Sequence, residues 1–321
     1  MDTKGSGISR RVFLGRLGAG SATVGALLAS CDIGRSPAPT ATSGAATPSA
    51  VTQTATAAPA TAASANIVRL SSVVIPQESG LYDHLLPEFE RRTGYRVEVT
   101  TAQDVYGPAR AGKFDIVLSH YQHEGVSPFV RDGYGEWPRM VFYSPLALIG
   151  PPSDPAQIRG VTDVVDAFRR IGRAGTPFVV NDQDGLRYVS EVARRAANLP
   201  TSGEGYLDNG TKGPEAMRAA AQARGYTMWG LVPFLRLQQQ SKLPLEALMT
   251  DDQLIKSVMV TILVSPQKVG GVNAKGATSL QQYLLEAETQ AKVRTFRMAG
   301  FAEPVWWPAA HDNEKAVFGR P

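Results

Sequence analysis

Cysteine is almost missing from this 321-residue sequence, which has one, at Cys31. A single thiol forms no intrachain disulfide and builds no Cys-ligated metal cluster. Long apolar runs are also missing. Beyond the first 30 residues none reaches the roughly 18 residues that a membrane-spanning helix needs. No unit repeats at roughly 20 to 50 residues, which excludes solenoids and propellers. A surplus of one charge is only superficially present. Of the formal net charge of +4, Lys4, Arg10, Arg11 and Arg16 against Asp2 supply +3, and without residues 1 to 30 there are 29 Lys/Arg to 28 Asp/Glu. Nothing in this balance points to nucleic acid. A Gly-rich phosphate loop, a GxSxG elbow and a His–carboxylate set are lacking too, which argues against an exported enzyme.

What is present begins with a leader. Residues 1–30 have a charged front, an apolar run of small residues and a small-residue end, the layout of an export signal. Ser9-Arg10-Arg11-Val12-Phe13-Leu14 within it has the form of a twin-arginine signal. Leu28-Ala29-Ser30-Cys31 resembles the bacterial lipobox, in which the cysteine becomes the lipid-modified first residue. Residues 31–65 are nearly all Ala, Thr, Pro and Ser. Such a stretch cannot bury enough surface to offset its ordering entropy and is expected to be a disordered tether.

Hydrophobic patterning then becomes regular, and a 43% hydrophobic fraction suits a globular core. Asn66 to Leu70 reads as a strand, followed by a turn through Pro76 and Ser79-Gly80. Leu81, Leu85, Leu86 and Phe89 recur at helical spacing until Gly94. Tyr95 to Val99 and Lys113 to Leu118 are further strands, the last running into Ser119-His120-Tyr121. Val141 to Ala156 is an apolar strand stopped by Gly150-Pro151-Pro152, and it reads as a crossover between two similar halves. Beyond it come a helix over Val161 to Ile171, a strand over Pro177 to Val180, a helix over Val189 to Asn198 and a Gly-rich loop over Ser202 to Gly213. A helix over Glu215 to Arg224 follows, and Tyr226 to Trp229 reads as the last strand of the second half. Met259 to Val264 is expected to return the chain to the first half, and Leu280 to Met298 to close it with one or two helices. The alternation predicts βαβ units in an α/β fold, each lobe a mainly parallel sheet flanked by helices. Its domains are lobe 1 at 66–147 plus 255–312, lobe 2 at 148–254, and a tail at 313–321.

Several stretches taken together resemble bacterial ABC-transporter solute-binding proteins of the type II periplasmic-binding-protein fold, most closely the tungstate-binding subfamily. They are Ser79-Gly80-Leu81, Leu86-Pro87-Glu88-Phe89-Glu90, Phe114-Asp115-Ile116-Val117-Leu118-Ser119-His120, Gly133-Tyr134-Gly135, Leu148-Ile149-Gly150-Pro151 and Glu303-Pro304-Val305-Trp306-Trp307-Pro308. The resemblance implies a two-lobed protein that clasps a small solute and hands it to an ABC permease, acting as a monomer without a cofactor. It implies a site where the departures lie. The family's Thr-Thr-Thr-Ser run is met here by Ser72-Val73-Val74-Ile75. Its Ser-Arg-Gly-Asp and Ser-Gly-Thr-His runs are met by Val180 to Arg187, and its Thr-Asp-Arg-Gly-Thr by Met228-Trp229-Gly230-Leu231-Val232.

The candidate ligand-binding residues are therefore Ser71, Ser72, Ser119, His120, Tyr121, Asn181, Asp182, Asp184 and Trp229, with no catalytic or metal site assigned. A tetrahedral oxyanion calls for hydroxyl and backbone N–H donors. Unpaired carboxylates at Asp182 and Asp184 would repel it, and with Tyr121 and Trp229 would suit a neutral or cationic solute. His120 is expected either to touch ligand or to hydrogen-bond across the lobe interface. His120-x-x-His123-Glu124 lacks metalloprotease spacing and a third ligand. The implied function is an extracytoplasmic solute-binding lipoprotein, exported by the twin-arginine route and lipid-anchored on the outer face of the cytoplasmic membrane. Its alternatives are a ligand-sensing or partner-binding lipoprotein, or an exported enzyme on the same fold.

Overall fold

The computed structural model describes residues 66–315. Arg10, Arg11, Cys31 and the tether fall outside the described residues, as does the side chain of Asp184. Strand β1 (Ile67–Ser72) lies between β2 (Arg96–Thr101) and β3 (Ile116–His120), parallel to both. Parallel neighbours need crossovers, provided here by α1 (Val74–Glu78) with α2 (Leu81–Thr93), and by α3 (Gly107–Arg110). Helix α2 buries Leu81, Tyr82, Leu85, Leu86 and Phe89, and stops at Gly94, whose φ of 73° is readily adopted by glycine. Helix α1 occupies the stretch expected to be a turn. Pro76 is its third residue, where the backbone N–H has no intrahelical partner to lose.

Helix α4 (Val126–Arg131) leads through Gly133-Tyr134-Gly135 into β4 (Arg139–Gly150). Gly135 leaves no room for a side chain, since a Cβ there would lie 2.5 Å from Phe129 and 2.6 Å from Ile262. After β4 come α5 (Val164–Arg173), β5 (Phe178–Val179), α6 (Asp184–Ala196), β6 (Tyr206–Leu207), α7 (Pro214–Ala223), β7 (Thr227–Gly230), α8 (Leu231–Ser241) and β8 (Glu246–Met249). Four of these differ from expectation. Helix α6 starts at Asp184 rather than near Val189, the Gly-rich loop contains β6, α8 fills a stretch without an expected element, and β8 rather than β7 ends this half. Asp163 caps α5 by accepting from Val165 and Asp166 N–H groups at 2.8 and 3.0 Å, and Phe168 from that helix meets Phe178 edge-on at 5.1 Å.

The chain returns through a 3₁₀ turn into β9 (Lys256–Leu263), then α9 (Ala274–Leu285), α10 (Ala287–Thr295), β10 (Trp307–Pro308) and α11 (Asp312–Lys315). Strand β9 does rejoin the first half, antiparallel to β3 on one side and to β4 on the other. Asn313, expected to open a tail, is bound to β4 by two 2.8 Å hydrogen bonds with the N–H and carbonyl of Met140.

Strand β4 belongs to both lobes. Its residues Arg139 to Pro145 pair with β9, Leu146 to Ile149 with β7, and Leu148 to Gly150 with β8. Pairing is parallel within β1–β2–β3 and between β5 and β6, and antiparallel wherever β4 or β9 takes part. The last residue of the crossover strand, Gly150, has no room for a side chain. A Cβ on Gly150 would lie 2.4 Å from the Tyr226 ring, whose hydroxyl donates to Asp154 at 2.8 Å and accepts from the Ala156 N–H at 2.9 Å.

Candidate functional site

Strand directions bring the candidate loops together. Leu146 pairs with Gly230, the last residue of β7, and Pro145 pairs with Lys256, the first of β9. The carboxyl end of β7 therefore faces the point where β4 passes between lobes. His120 at the end of β3 pairs with Met259, and the Tyr121 N–H donates to Val258 at 2.8 Å, so β3 and its parallel neighbour β1 end at the same junction. From the second lobe, β5 runs parallel to β7, and its Asn181 end points the same way. Carboxyl ends of strands are where open α/β sheets place ligands.

On the first-lobe side, the three candidate serines turn inward. Ser71 Oγ donates to the Val105 carbonyl at 3.0 Å. Ser72 Oγ donates to the Val73 carbonyl at 2.8 Å and lies 2.6 Å from Tyr82 Oη. Ser119 Oγ donates to the His120 carbonyl at 3.1 Å and lies 2.5 Å from Tyr106 Oη. Each hydroxyl has one proton, so Ser72 and Ser119 accept from their tyrosines and none of the three has a proton left for an anion. Burial raises the Tyr82 phenol above its ordinary range and pushes Tyr106 up to about 12, so both remain donors.

His120 is half-buried, with Nδ1 2.8 Å from Ser257 Oγ at the start of β9. That partner belongs to the same lobe, and among the described residues no hydrogen bond joins the His120 ring to the second lobe. Burial, then the neighbouring His123, lowers its pKa to about 4. With the folded value below the ordinary one of about 6.5, the unfolded chain binds more protons between these two values. Stability from a neutral His120 is thus fully present above about pH 6.5 and is lost as pH falls toward 4. Thermal unfolding of His120→Gln is expected to depend less on pH than the parent over that window; equal slopes would exclude the assignment. Tyr121 is 45% exposed and is the most open of the candidates that are described. Among the described residues, no three His, Cys, Asp or Glu side chains are gathered to hold a metal ion.

The second-lobe side is braced by Asn181, only 3% exposed. Its Nδ2 donates to the Met228 carbonyl at 3.2 Å and its Oδ1 accepts from the Gly213 N–H at 2.9 Å, tying β5, β7 and the start of α7 together. Trp229 is buried at 9% and packs against Gly213, whose φ of 51° is one that glycine adopts readily. It is a packing residue in this arrangement, not an open aromatic surface. Asp182 is not the unpaired carboxylate expected from sequence. Its Oδ1 accepts from Arg187 Nε at 2.7 Å, while both Nη atoms of Arg187 donate to Asp208 at 2.8 Å. Asp208, then Asp182, hold the guanidinium more firmly protonated than usual, and Arg187 in turn keeps Asp208 below the ordinary carboxylate range.

Two features at the junction escaped the sequence. Lys256 is half-buried with Nζ 5.0 Å from the Tyr143 ring centre, and forms no ion pair among the described residues. The ring of Tyr143 stacks on Trp307 at 5.6 Å. Arg187 itself was visible as a position but not as the partner of Asp182; a five-residue Asp–Arg spacing across a helix start was the available signal.

Comparison with known proteins gives a consistent result. The bacterial extracellular solute-binding protein family matches residues 72–301. The tungstate-binding protein TupA of Peptoclostridium acidaminophilum is 25% identical over 247 residues, which cover 75% of this chain and 85% of that protein. A putative ABC transporter anion-binding protein of Haloferax volcanii is 29% identical over 264 residues, covering 80% and 76% respectively. The solved structure of TupA from Desulfovibrio alaskensis G20 superposes with a TM-score of 0.68 at 23% identity, covering 76% of this chain and 99% of that one. The latter establishes likeness of fold, the two-lobed periplasmic-binding-protein type. Over nearly all of its described length, the chain belongs to the bacterial extracellular solute-binding protein family.

Proposed function

We propose that this chain is the extracytoplasmic binding subunit of an ABC importer and that it captures a small oxyanion of the tungstate or molybdate kind between its lobes. The observation that carries this reading is the convergence of four strand ends on the β4 crossing, with α6 and α8 both starting there. Neither helix has a side-chain cap at its N-terminus. Their first-turn N–H groups and dipoles suit an anion without any hydroxyl contribution. Lys256 adds positive charge at the junction, and Arg187 offsets part of the Asp182 charge, its guanidinium being shared with Asp208. A neutral or cationic solute loses two of its supports, since Asp182 is paired and Trp229 is buried. The names of the relatives agree with an anion.

The lobes in this reading are residues 66–147 plus 255–312 and 148–254. Export through Arg10 and Arg11, lipidation at Cys31 and a tether to residue 65 would hold the protein outside the cytoplasmic membrane, as a monomer, within reach of its permease. It binds and does not catalyse. Full-length protein expressed with its leader tests both parts. Tungstate or molybdate is expected to raise the melting temperature by mass action, as a ligand at about 100 times its Kd stabilises by about 2.7 kcal/mol. Cys31→Ala is expected to move the protein from the membrane to the soluble fraction. Stabilisation by neutral or cationic solutes alone, or unchanged fractionation, would overturn the corresponding part.

A further inference from the structure

Helix α8 begins at the carboxyl end of β7, and so at the junction, and continues along the lobe boundary. Two of its residues, Arg236 and Gln239, are three apart and so share one face of the helix. Both reach into the other lobe. Arg236 Nη1 donates to the Glu78 carbonyl at 2.6 Å, and its guanidinium lies 3.9 Å from the Glu78 carboxylate. Gln239 Nε2 donates to the Ala299 carbonyl at 2.9 Å. Glu78 is the last residue of α1, so its carbonyl is one that a helix end leaves without an intrahelical donor. The negative end of that helix turn suits a guanidinium. The backbone on the far side also leaves room for this contact. Gly300 has φ of 84°, and a Cβ on it would lie 2.8 Å from Gln239 Nε2.

We propose that Arg236 and Gln239 form a latch that holds the two lobes together before any solute binds. The proposal rests on the two-lobed binding reading. The latch and the candidate site share one rigid helix, with Arg236 five residues from the helix start, or about 7.5 Å along its axis. Solute at the start of α8 and the two carbonyls at its side therefore stabilise the same position of the same element. Without the latch, the lobes open and the Glu78 and Ala299 carbonyls turn to water. A pre-closed population raises apparent affinity by the fraction of molecules already competent to bind, so the latch sets how tightly the protein holds its solute without touching it.

Spin labels on the full chain carrying Cys31→Ser, Arg91→Cys and Arg218→Cys place one probe on α2 and one on α7, at exposed positions. Double electron–electron resonance without solute is expected to give one narrow distance for the parent. The Arg236→Ala, Gln239→Ala double variant is expected to add a second, longer population. Gln240→Ala, a neighbour on α8 with an exposed side chain, should keep the single narrow distance. Superimposable distributions for parent and double variant would overturn the latch, and so would opening by Gln240→Ala to the same extent. Tungstate titration of the same samples reads the solute separately. A chain that opens but binds no oxyanion keeps the latch and loses the proposed ligand, and the reverse outcome does the opposite.

Discussion

Asp115→Ala is expected to destabilise the chain by about 3–5 kcal/mol, the cost of leaving two backbone N–H donors and the Arg69 guanidinium, whose side chain is 32% exposed, without their buried acceptor. The Asp115 side chain is fully buried, and its two oxygens accept four hydrogen bonds. Three come from Arg69, through its backbone N–H at 2.7 Å, Nε at 3.0 Å and Nη2 at 2.5 Å. The fourth comes from the Asn273 N–H at 2.8 Å. The same guanidinium donates to the carbonyls of Gly112 at 3.0 Å and Gly271 at 2.9 Å. One carboxylate thus fixes β1, the entry to β3 and the start of α9, which are far apart in sequence. Against a total stability of about 5–15 kcal/mol for native proteins, this loss is large enough to leave a substantial unfolded fraction. Urea unfolding followed by far-ultraviolet circular dichroism measures it. A loss below about 1 kcal/mol would mean that the network is a surface pair in effect.

Trp306→Ala ranks beside it, at about 3–5 kcal/mol for removing a large aromatic side chain from a packed core. Trp306 is fully buried, meets Phe142 of β4 edge-on at 5.1 Å and donates its indole N–H to Ser79 Oγ at 2.9 Å. Ser79 in turn donates to the Pro76 carbonyl at 3.0 Å, so the indole positions the α1–α2 corner as well as filling the core. Trp306→Phe should recover most of the packing and lose only the indole bond, about 0.5–1.5 kcal/mol. Trp307, half-buried on the edge strand, should tolerate alanine better than its neighbour does. Calorimetric melting temperatures separate the three variants, at about 2–4 °C per kcal/mol for a chain of this size. Equal losses at both tryptophans would contradict the difference in burial.

The crossover and the return strand were legible because both are long and β-branched or apolar, and because Gly150-Pro151-Pro152 gives a clear stop. Helix α2 was legible from Leu81, Leu85, Leu86 and Phe89 with Gly94 as terminator. Elements that broke a local rule were missed. Prolines at the third position of α1 and α8, Pro76 and Pro233, imitate turns although a helix tolerates them there. Strand β8, Glu246-Ala247-Leu248-Met249, has no β-branched residue and owes its conformation to pairing with β4. Helix α6 starts inside Asn181-Asp182-Gln183-Asp184-Gly185, whose residue types favour loops. The site was legible as a place, through the strand ends, and not as chemistry. No local pattern shows that Ser72 and Ser119 meet tyrosines from neighbouring elements, or that Arg187 folds back on Asp182 and Asp208.

The double membership of β4 has a consequence for the order in which the chain acquires its structure. The second lobe is a continuous stretch that starts within β4 and ends at β8, so all of its strands are in place once β8 has been synthesised. The first lobe lacks its central strand until β9 follows, because β9 fills the position between β3 and β4. His120 waits for Met259 and Tyr143 for Val258, pairings more than a hundred residues apart. Such non-local closure is slow. The half of the protein translated first is the half completed last, and its unpaired β3 and β4 edges stay exposed until β9 is made, more than a hundred residues later.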